Sequence, residues 1–182
     1  INRFAAAINT FIIVYFLTVY EYGVFKLILS LVSMFQSFMI SGLDGVVRND
    51  IAIELKNKRQ DRAAQIFYEF FFFKIALALI IWSALYLFII FFVGDRYDLT
   101  FTSILKIASF TIILNCFSDT FSLYFKGIGA LSAVSKINSV LEIIRLAIIF
   151  SFFKIFGANI LILMWSIIAT QLISQLVYFV VG

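Results

Sequence analysis

Two helix-length apolar runs carry charged side chains at a spacing that places them on one helix face. In the first run, Asp119 stands in a stripe with other polar residues at intervals of three or four positions: Thr111, Asn115, Ser122 and Lys126. Because an α-helix has about 3.6 residues per turn, these side chains share a face. Asp119 is therefore a candidate for binding a proton or a small cation.

The second run repeats this arrangement with charges of both signs. Glu142 and Arg145 lie on a stripe that also includes Ser135 and Asn138. An acid and a base three positions apart on a helix are neighbours and can form an ion pair. Glu142, like Asp119, is a candidate for ion or proton coupling.

A charged side chain inside a helix-length apolar run needs a physical reason. If such a run crosses a membrane, each charge costs roughly 2.5–3.5 kcal/mol at the centre of the bilayer. One interpretation is a water-filled cavity that Asp119, Glu142 and Arg145 line. The other is a closed structural network, in which Glu142 pairs with Arg145 and Asp119 is bonded nearby. Composition and spacing leave both open.

Further polar residues recur along the other apolar runs. Small and hydroxylated side chains at such spacing favour close helix–helix contacts. Lys74 lies about eight residues into its run, where a lysine either snorkels to the interface or lines a cavity. The remaining stripes are Asn2, Arg3, Asn9 and Thr10; Ser30, Ser33, Ser37 and Ser41; and Ser166, Thr170 and Ser174.

The composition establishes the class of protein that holds these residues. The mean hydropathy is +1.10, 64% of the residues are hydrophobic and 13% are charged, whereas apolar residues make up about 45–50% of soluble domains. Continuously apolar runs predict membrane-spanning helices rather than the alternating strands of a barrel. Without His and with Cys116 alone, the chain is not expected to bind a metal or a cofactor. Neither an enzyme nor a nucleic-acid partner is indicated.

Six spans are predicted, forming an all-α polytopic membrane protein with one six-helix domain over residues 1–182. The second and third spans are separated by a cytoplasmic loop at 42–65, and the turn between the first two lies at Tyr20–Gly23. Both ends of the chain lie in apolar runs, so we expect it to be part of a longer protein. The spans cover about residues 1–19, 24–41, 66–93, 101–125, 137–156 and 160–181.

The basic residues predict the orientation. Loops after the second and fourth spans hold seven of the 14 basic residues, whereas the loops after the first, third and fifth hold Arg96 alone. By the positive-inside rule both chain ends are then cytoplasmic. Within the loop at 42–65, Val47, Ile51 and Leu55 predict an amphipathic helix lying on the membrane. Arg48 is placed to meet an anionic lipid headgroup at a cavity mouth.

Three short segments resemble a known family. The hairpin segment Tyr20–Phe25 (YEYGVF), the segment 42–48 (GLDGVVR) and the segment Tyr124–Gly127 (YFKG) are similar, in order and position between spans, to motifs of Wzx-type polysaccharide and O-antigen flippases. These flippases belong to the MOP superfamily, which also contains MATE exporters and lipid II flippases.

The resemblance implies a two-lobe, MATE-like transporter of which this chain is the first lobe, the second being absent. It implies translocation of undecaprenyl-pyrophosphate-linked oligosaccharide by alternating access across the bacterial cytoplasmic membrane, for surface polysaccharide such as the O-antigen of lipopolysaccharide. The partners would be this lipid-linked oligosaccharide, membrane lipids and a coupling ion, H⁺ or Na⁺. The candidate substrate-binding residues are Arg145, Lys74, Arg3 and Arg48 for the anion, and Asn115 and Asn138 for the sugar.

Two other functions remain open. An ion-coupled exporter of small cations would need an acidic cavity without basic residues. A non-transporting membrane scaffold would bury all its polar stripes in helix–helix contacts, with no water-filled cavity beside them.

Overall fold

The computed structural model describes residues 2–39, 43–94 and 97–181, and the side chains of 7–39, 43–94 and 97–180. Over these ranges the chain is helical and contains no strand, which confirms the predicted all-α class. A π-helical turn at Ile89–Val93 extends the fourth helix. The helices are α1 Asn2–Phe16, α2 Val19–Ser37, α3 Leu43–Lys56, α4 Gln60–Phe88, α5 Leu99–Ser109, α6 Thr111–Gly127, α7 Leu131–Phe156 and α8 Ile160–Val181.

Three helical stretches of the described chain are long and apolar enough to cross a membrane: Gln60–Val93, Leu99–Gly127 and Ile160–Val180. Large apolar side chains point outward from them, among them Phe72 and Phe179. This surface suits a lipid environment and confirms a membrane protein. The division into six spans and a single lobe stays a prediction.

The first turn lies earlier than predicted. Thr18 caps the start of α2: the Glu21 amide donates to Thr18 Oγ1 at 3.2 Å, and the Thr18 amide donates to Glu21 Oε2 at 2.9 Å. This capping box satisfies amides that a helix start leaves without partners. The chain therefore turns at Leu17 and Thr18, and the prediction of a turn at Tyr20–Gly23 is wrong.

The polar segment predicted as a loop at 42–65 is largely helical. It contains α3 and the first turn of α4, joined by a corner in which Lys58 adopts a left-handed φ of 59°. The apolar face of α3 packs against α4 and α6, with Ile51 completely buried. The expected helix lying on the membrane is thus a helix docked on the protein. We call this end of the bundle the α3 end.

The span predicted at 101–125 is broken at Phe110. Ser109 Oγ donates to the Lys106 carbonyl at 2.7 Å, and Thr111 Oγ1 donates to the Ala108 carbonyl at 2.6 Å. Hydroxyls that bond back to their own helix compete with the backbone ladder. α5 therefore ends there and α6 begins, with the polar stripe on α6.

Helix neighbours then determine which polar faces meet. α1 packs on α7, α8 packs on both α6 and α7, and α4 packs on α6 and α3. The apolar core contains Ile28, Leu85, Ile104 and Leu163, all fully buried. Polar faces of α1, α2, α6, α7 and α8 converge beside this core.

Candidate functional site

A cleft of about 430 Å³ opens among α1, α2, α6, α7 and α8. We call it the central cleft. Its volume falls within the range of about 300–1,000 Å³ that is typical of small-molecule sites. Its polar lining comprises Asn9, Thr10, Lys26, Ser33, Gln36, Thr111, Asn115, Glu142, Arg145 and Gln171.

One wall of the central cleft is an ion pair extended by an amide. Arg145 Nη1 donates to Glu142 Oε1 at 3.2 Å, and Asn9 Nδ2 donates to Glu142 Oε2 at 3.3 Å. Both charged side chains are part-buried, at 32% and 26% exposure. The pair is therefore formed, and it still faces an open space.

The opposite wall is a chain of three amides that joins α2, α6 and α8. Gln171 Nε2 donates to Asn115 Oδ1 at 2.8 Å, and Asn115 Nδ2 donates to Gln36 Oε1 at 3.3 Å. Amide side chains of this kind offer both donors and acceptors. They give the cleft a neutral polar surface opposite its charged one.

Three buried polar atoms of the cleft residues have no hydrogen-bond partner within the described part of the chain: Asn9 Oδ1, Gln171 Oε1 and Arg145 Nε. Asn9 is only 6% exposed. An unpaired buried polar group costs about 1–3 kcal/mol, so its partner is normally water or a ligand. A ligand that pairs with two acceptors and one donor must itself both donate and accept hydrogen bonds, as a hydroxylated ligand does.

A second, smaller pocket of about 200 Å³ lies toward the α3 end. We call it the charged pocket. Lys74, only 4% exposed, holds its Nζ at 2.8 Å and 3.0 Å from the two carboxylate oxygens of Asp44. Asp119 lines the same pocket from α6, and the Phe70 ring lies 5.2 Å from Lys74 Nζ.

The two cavities adjoin each other. Ser33 and Gln36 of α2 line both the central cleft and the charged pocket. The amide chain through Gln36 therefore stands between them. Polar surface runs from the α3 end into the middle of the bundle.

The structure brings together some of the predicted site residues and separates others. Arg145, Glu142 and Asn115 share the central cleft, whereas Lys74 and Asp119 share the charged pocket. The predicted Glu142–Arg145 pair forms, but Asp119 is not part of it.

Two predicted residues, Asn138 and Arg48, line neither cavity. Asn138 accepts a hydrogen bond from Tyr178 Oη at 2.8 Å. Arg48 is exposed on α3. The side chain of Arg3 lies outside the described residues.

Sequence reasoning missed Asp44, Gln36 and Gln171. Asp44 was not among the candidate site residues, although it lies in the GLDGVVR segment. The two glutamines are isolated amides in apolar runs, each next to or near a hydroxyl stripe that was noted. A polar amide within an apolar run was the sequence signal that could have identified both glutamines as site residues.

The fold and the site together define an integral membrane protein with a polar cleft inside its helix bundle, as transport proteins have. The chain matches the family described as "Polysaccharide biosynthesis protein" over residues 1–182. It belongs to that family, which comprises the Wzx-type polysaccharide flippases of the MOP superfamily. Comparison with curated proteins and comparison with solved structures each returned no match.

Proposed function

We propose that the chain is part of a flippase that moves undecaprenyl-pyrophosphate-linked oligosaccharide from the cytoplasmic to the outer leaflet of the bacterial cytoplasmic membrane. A second lobe of the same protein would complete the route, which opens alternately to each side. Both ends of the segment are then cytoplasmic, as its basic loops favour. The α3 end faces the cytoplasm in this orientation.

The observation that carries the proposal is the unpaired polar lining of the central cleft. Arg145 Nε, Asn9 Oδ1 and Gln171 Oε1 belong to residues that line the central cleft, and none of the three atoms has a hydrogen-bond partner among the described residues. Sugar hydroxyls both donate and accept hydrogen bonds, and a guanidinium binds phosphate oxygens well. A phosphorylated oligosaccharide would satisfy all three atoms.

The cleft residues then take distinct roles. Arg145 attracts the pyrophosphate, and Glu142 holds the guanidinium in place until the anion arrives. Asn115, linked to Gln36 and Gln171, binds sugar hydroxyls. The lipid chain stays outside, against the apolar surface.

The remaining candidates act away from this cleft. Lys74 is already paired with Asp44, so it contributes to anion binding only after that pair opens. Arg48, exposed at the α3 end, would contact a lipid headgroup at the surface, and Arg3 is a further proposed contact for the pyrophosphate. Asn138 contacts sugar only if Tyr178 releases it. Glu142 and Asp119 are the acids for coupling to H⁺ or Na⁺.

The direct test is Arg145→Ala in the full-length protein. We expect translocation of lipid-linked oligosaccharide to fall at least tenfold, while the amount inserted in the membrane stays at the wild-type level. Translocation is measured in inverted membrane vesicles as transfer of substrate from the exposed cytoplasmic leaflet to the leaflet that faces the vesicle lumen. Normal translocation by this variant would refute the role of Arg145.

Lys154→Ala is the matched control. Lys154 is a basic residue of the same helix, exposed near its far end and outside both cavities. It removes the same charge from α7 without touching the cleft. We expect translocation at the wild-type rate, so that any loss in Arg145→Ala reports on the cleft itself.

The two other functions fit the described residues less well. A small-cation exporter needs an acidic cavity, whereas Arg145 places a positive charge beside Glu142 in the central cleft. A dry scaffold would pair its buried polar atoms, and three in the cleft are unpaired. Drug-efflux assays on the same vesicles would separate the exporter from the flippase.

A further inference from the structure

α3 packs on α4 and α6 through one apolar face. α3, all of whose residues the structure describes, buries only Ile51, and much of its remaining surface is exposed. Gly127 of α6 admits this contact, because a Cβ there would lie 3.0 Å from Ile51 Cγ2. Elements with so little buried apolar surface open more readily than the core.

The second attachment is the Asp44–Lys74 pair. Asp44 lies in the first turn of α3, and Lys74 lies inside α4. Breaking a buried ion pair is normally costly, because the charge that remains has no partner. That cost would hold α3 permanently closed if Asp44 were the only acid near Lys74.

The charged pocket provides a second acid. Asp119 lines it from α6, and its carboxylate has no hydrogen-bond or ion-pair partner among the residues that the structure describes. The other side chains of the pocket are uncharged, and so is the ring beside Lys74: Ser33, Gln36, Ser37, Met39 and Cys116 line the pocket, and Phe70 of α4 contacts the lysine. One lysine therefore has two possible carboxylate partners on different helices.

We infer that α3 is a gate at the α3 end of the bundle, closed while Lys74 pairs with Asp44 and released when Lys74 pairs with Asp119. The exchange keeps the lysine paired in both states, so opening does not leave a buried charge alone. The left-handed Lys58 between α3 and α4 is the corner about which α3 would move. Opening would expose the charged pocket and, through Gln36, the central cleft.

The first arm of the test measures hydrogen–deuterium exchange of the α3 amides in the full-length protein in lipid bilayers. Asp44→Asn removes the closing pair, so α3 exchange should rise at least threefold. Asp119→Asn removes the alternative partner, so α3 exchange should fall at least threefold. Asp50→Asn, on the exposed face of α3, should leave exchange unchanged.

Asp119→Asn is the decisive variant. A static latch between Asp44 and Lys74 predicts no effect on α3, whereas the switch predicts slower exchange. Unchanged or faster α3 exchange in Asp119→Asn and in a second variant, Asp119→Ser, would overturn the inference. Neither result depends on what the protein transports.

The second arm locks the gate. Ile51→Cys with Gly127→Cys, in a Cys116→Ala background, places two Cβ atoms about 3.3 Å apart, close to the spacing of about 3.5–4.5 Å in disulfides. Oxidation should crosslink them and stop translocation, and a reducing agent should restore it. Failure to crosslink, or full translocation by the locked protein, would overturn the gate.

This arm rests on the proposed flippase function, and the outcomes are distinguishable. If the wild-type protein is inserted normally in the membrane but translocates no lipid-linked oligosaccharide, the proposed function fails. The exchange measurements then still decide whether Lys74 switches between the two acids.

Discussion

The central cleft and the charged pocket both hold an acid paired with a base, but the pairs differ in how they are made. Glu142 and Arg145 are three positions apart on one helix, and both remain partly open to the cleft. Asp44 and Lys74 are 30 positions apart on different helices, and the lysine is almost fully buried.

This difference separates a binding surface from a structural contact. A pair within one helix leaves each partner free to turn toward a ligand, and Arg145 Nε is still unpaired. A pair between helices holds α3 against α4, and both carboxylate oxygens of Asp44 contact the Lys74 ammonium group. We therefore expect substitutions in the cleft to affect translocation, and substitutions of Lys74 to affect stability first.

The largest effect on stability should come from Lys74→Met. The substitution keeps an apolar stem but leaves Asp44 and Asp119 facing one pocket without a cation. Breaking a buried pair costs about 3–5 kcal/mol, and the partial exposure of Asp44 favours the lower end of that range. Thermal unfolding of the purified protein in detergent measures the loss.

Arg145→Met is the matched comparison for Lys74→Met. Its pair is partly exposed, so its removal should cost less than about 1 kcal/mol. The same melting experiment would contradict the comparison if Arg145→Met destabilised the protein as much as Lys74→Met.

An intermediate effect is expected from Asn115→Leu, which is similar in size but removes the centre of the amide chain. Gln36 and Gln171 each lose one hydrogen bond, at about 0.5–1.5 kcal/mol apiece. Translocation should also fall, because the neutral wall of the cleft loses its polar groups. A stable variant with wild-type translocation would show that the amide wall does not contact substrate.

The smallest effect on translocation is expected from Tyr178→Phe, outside both cavities. It removes one hydrogen bond to Asn138 and frees that amide. The unfolding free energy should fall by about 1 kcal/mol, with no loss of translocation. If translocation fell instead, Asn138 would have to act in the transport route after all, as the sequence resemblance implied.

The sequence was enough to predict a membrane protein and an ion pair within one helix. It was not enough to predict contacts between residues that are far apart in the chain. The Glu142–Arg145 pair could be predicted because helical spacing alone brings the two side chains together. The Asp44–Lys74 pair could not, because it depends on α3 docking on α4. The turn at Thr18 carried a readable capping signal, Thr18 followed by Glu21, but the glycine nearby was taken as the turn.

The amphipathic pattern of α3 was found, yet its partner was assigned wrongly. Val47, Ile51 and Leu55 form an apolar face in any helix over this segment. Lipid and protein both bury such a face, so the pattern does not distinguish them. In the structure this face packs on protein, because Gly127 has no side chain and lets α6 approach Ile51 closely.

The sequence by itself determined that this protein is a helical membrane protein with one-sided polar stripes, because hydropathy and a helical period are local properties of the chain. The tertiary structure alone decided which residues of the stripes line two adjoining cavities, and that Lys74 shares one of these cavities with Asp44 and Asp119. Those facts depend on which helices pack together, and packing is a property of the whole bundle rather than of any one run.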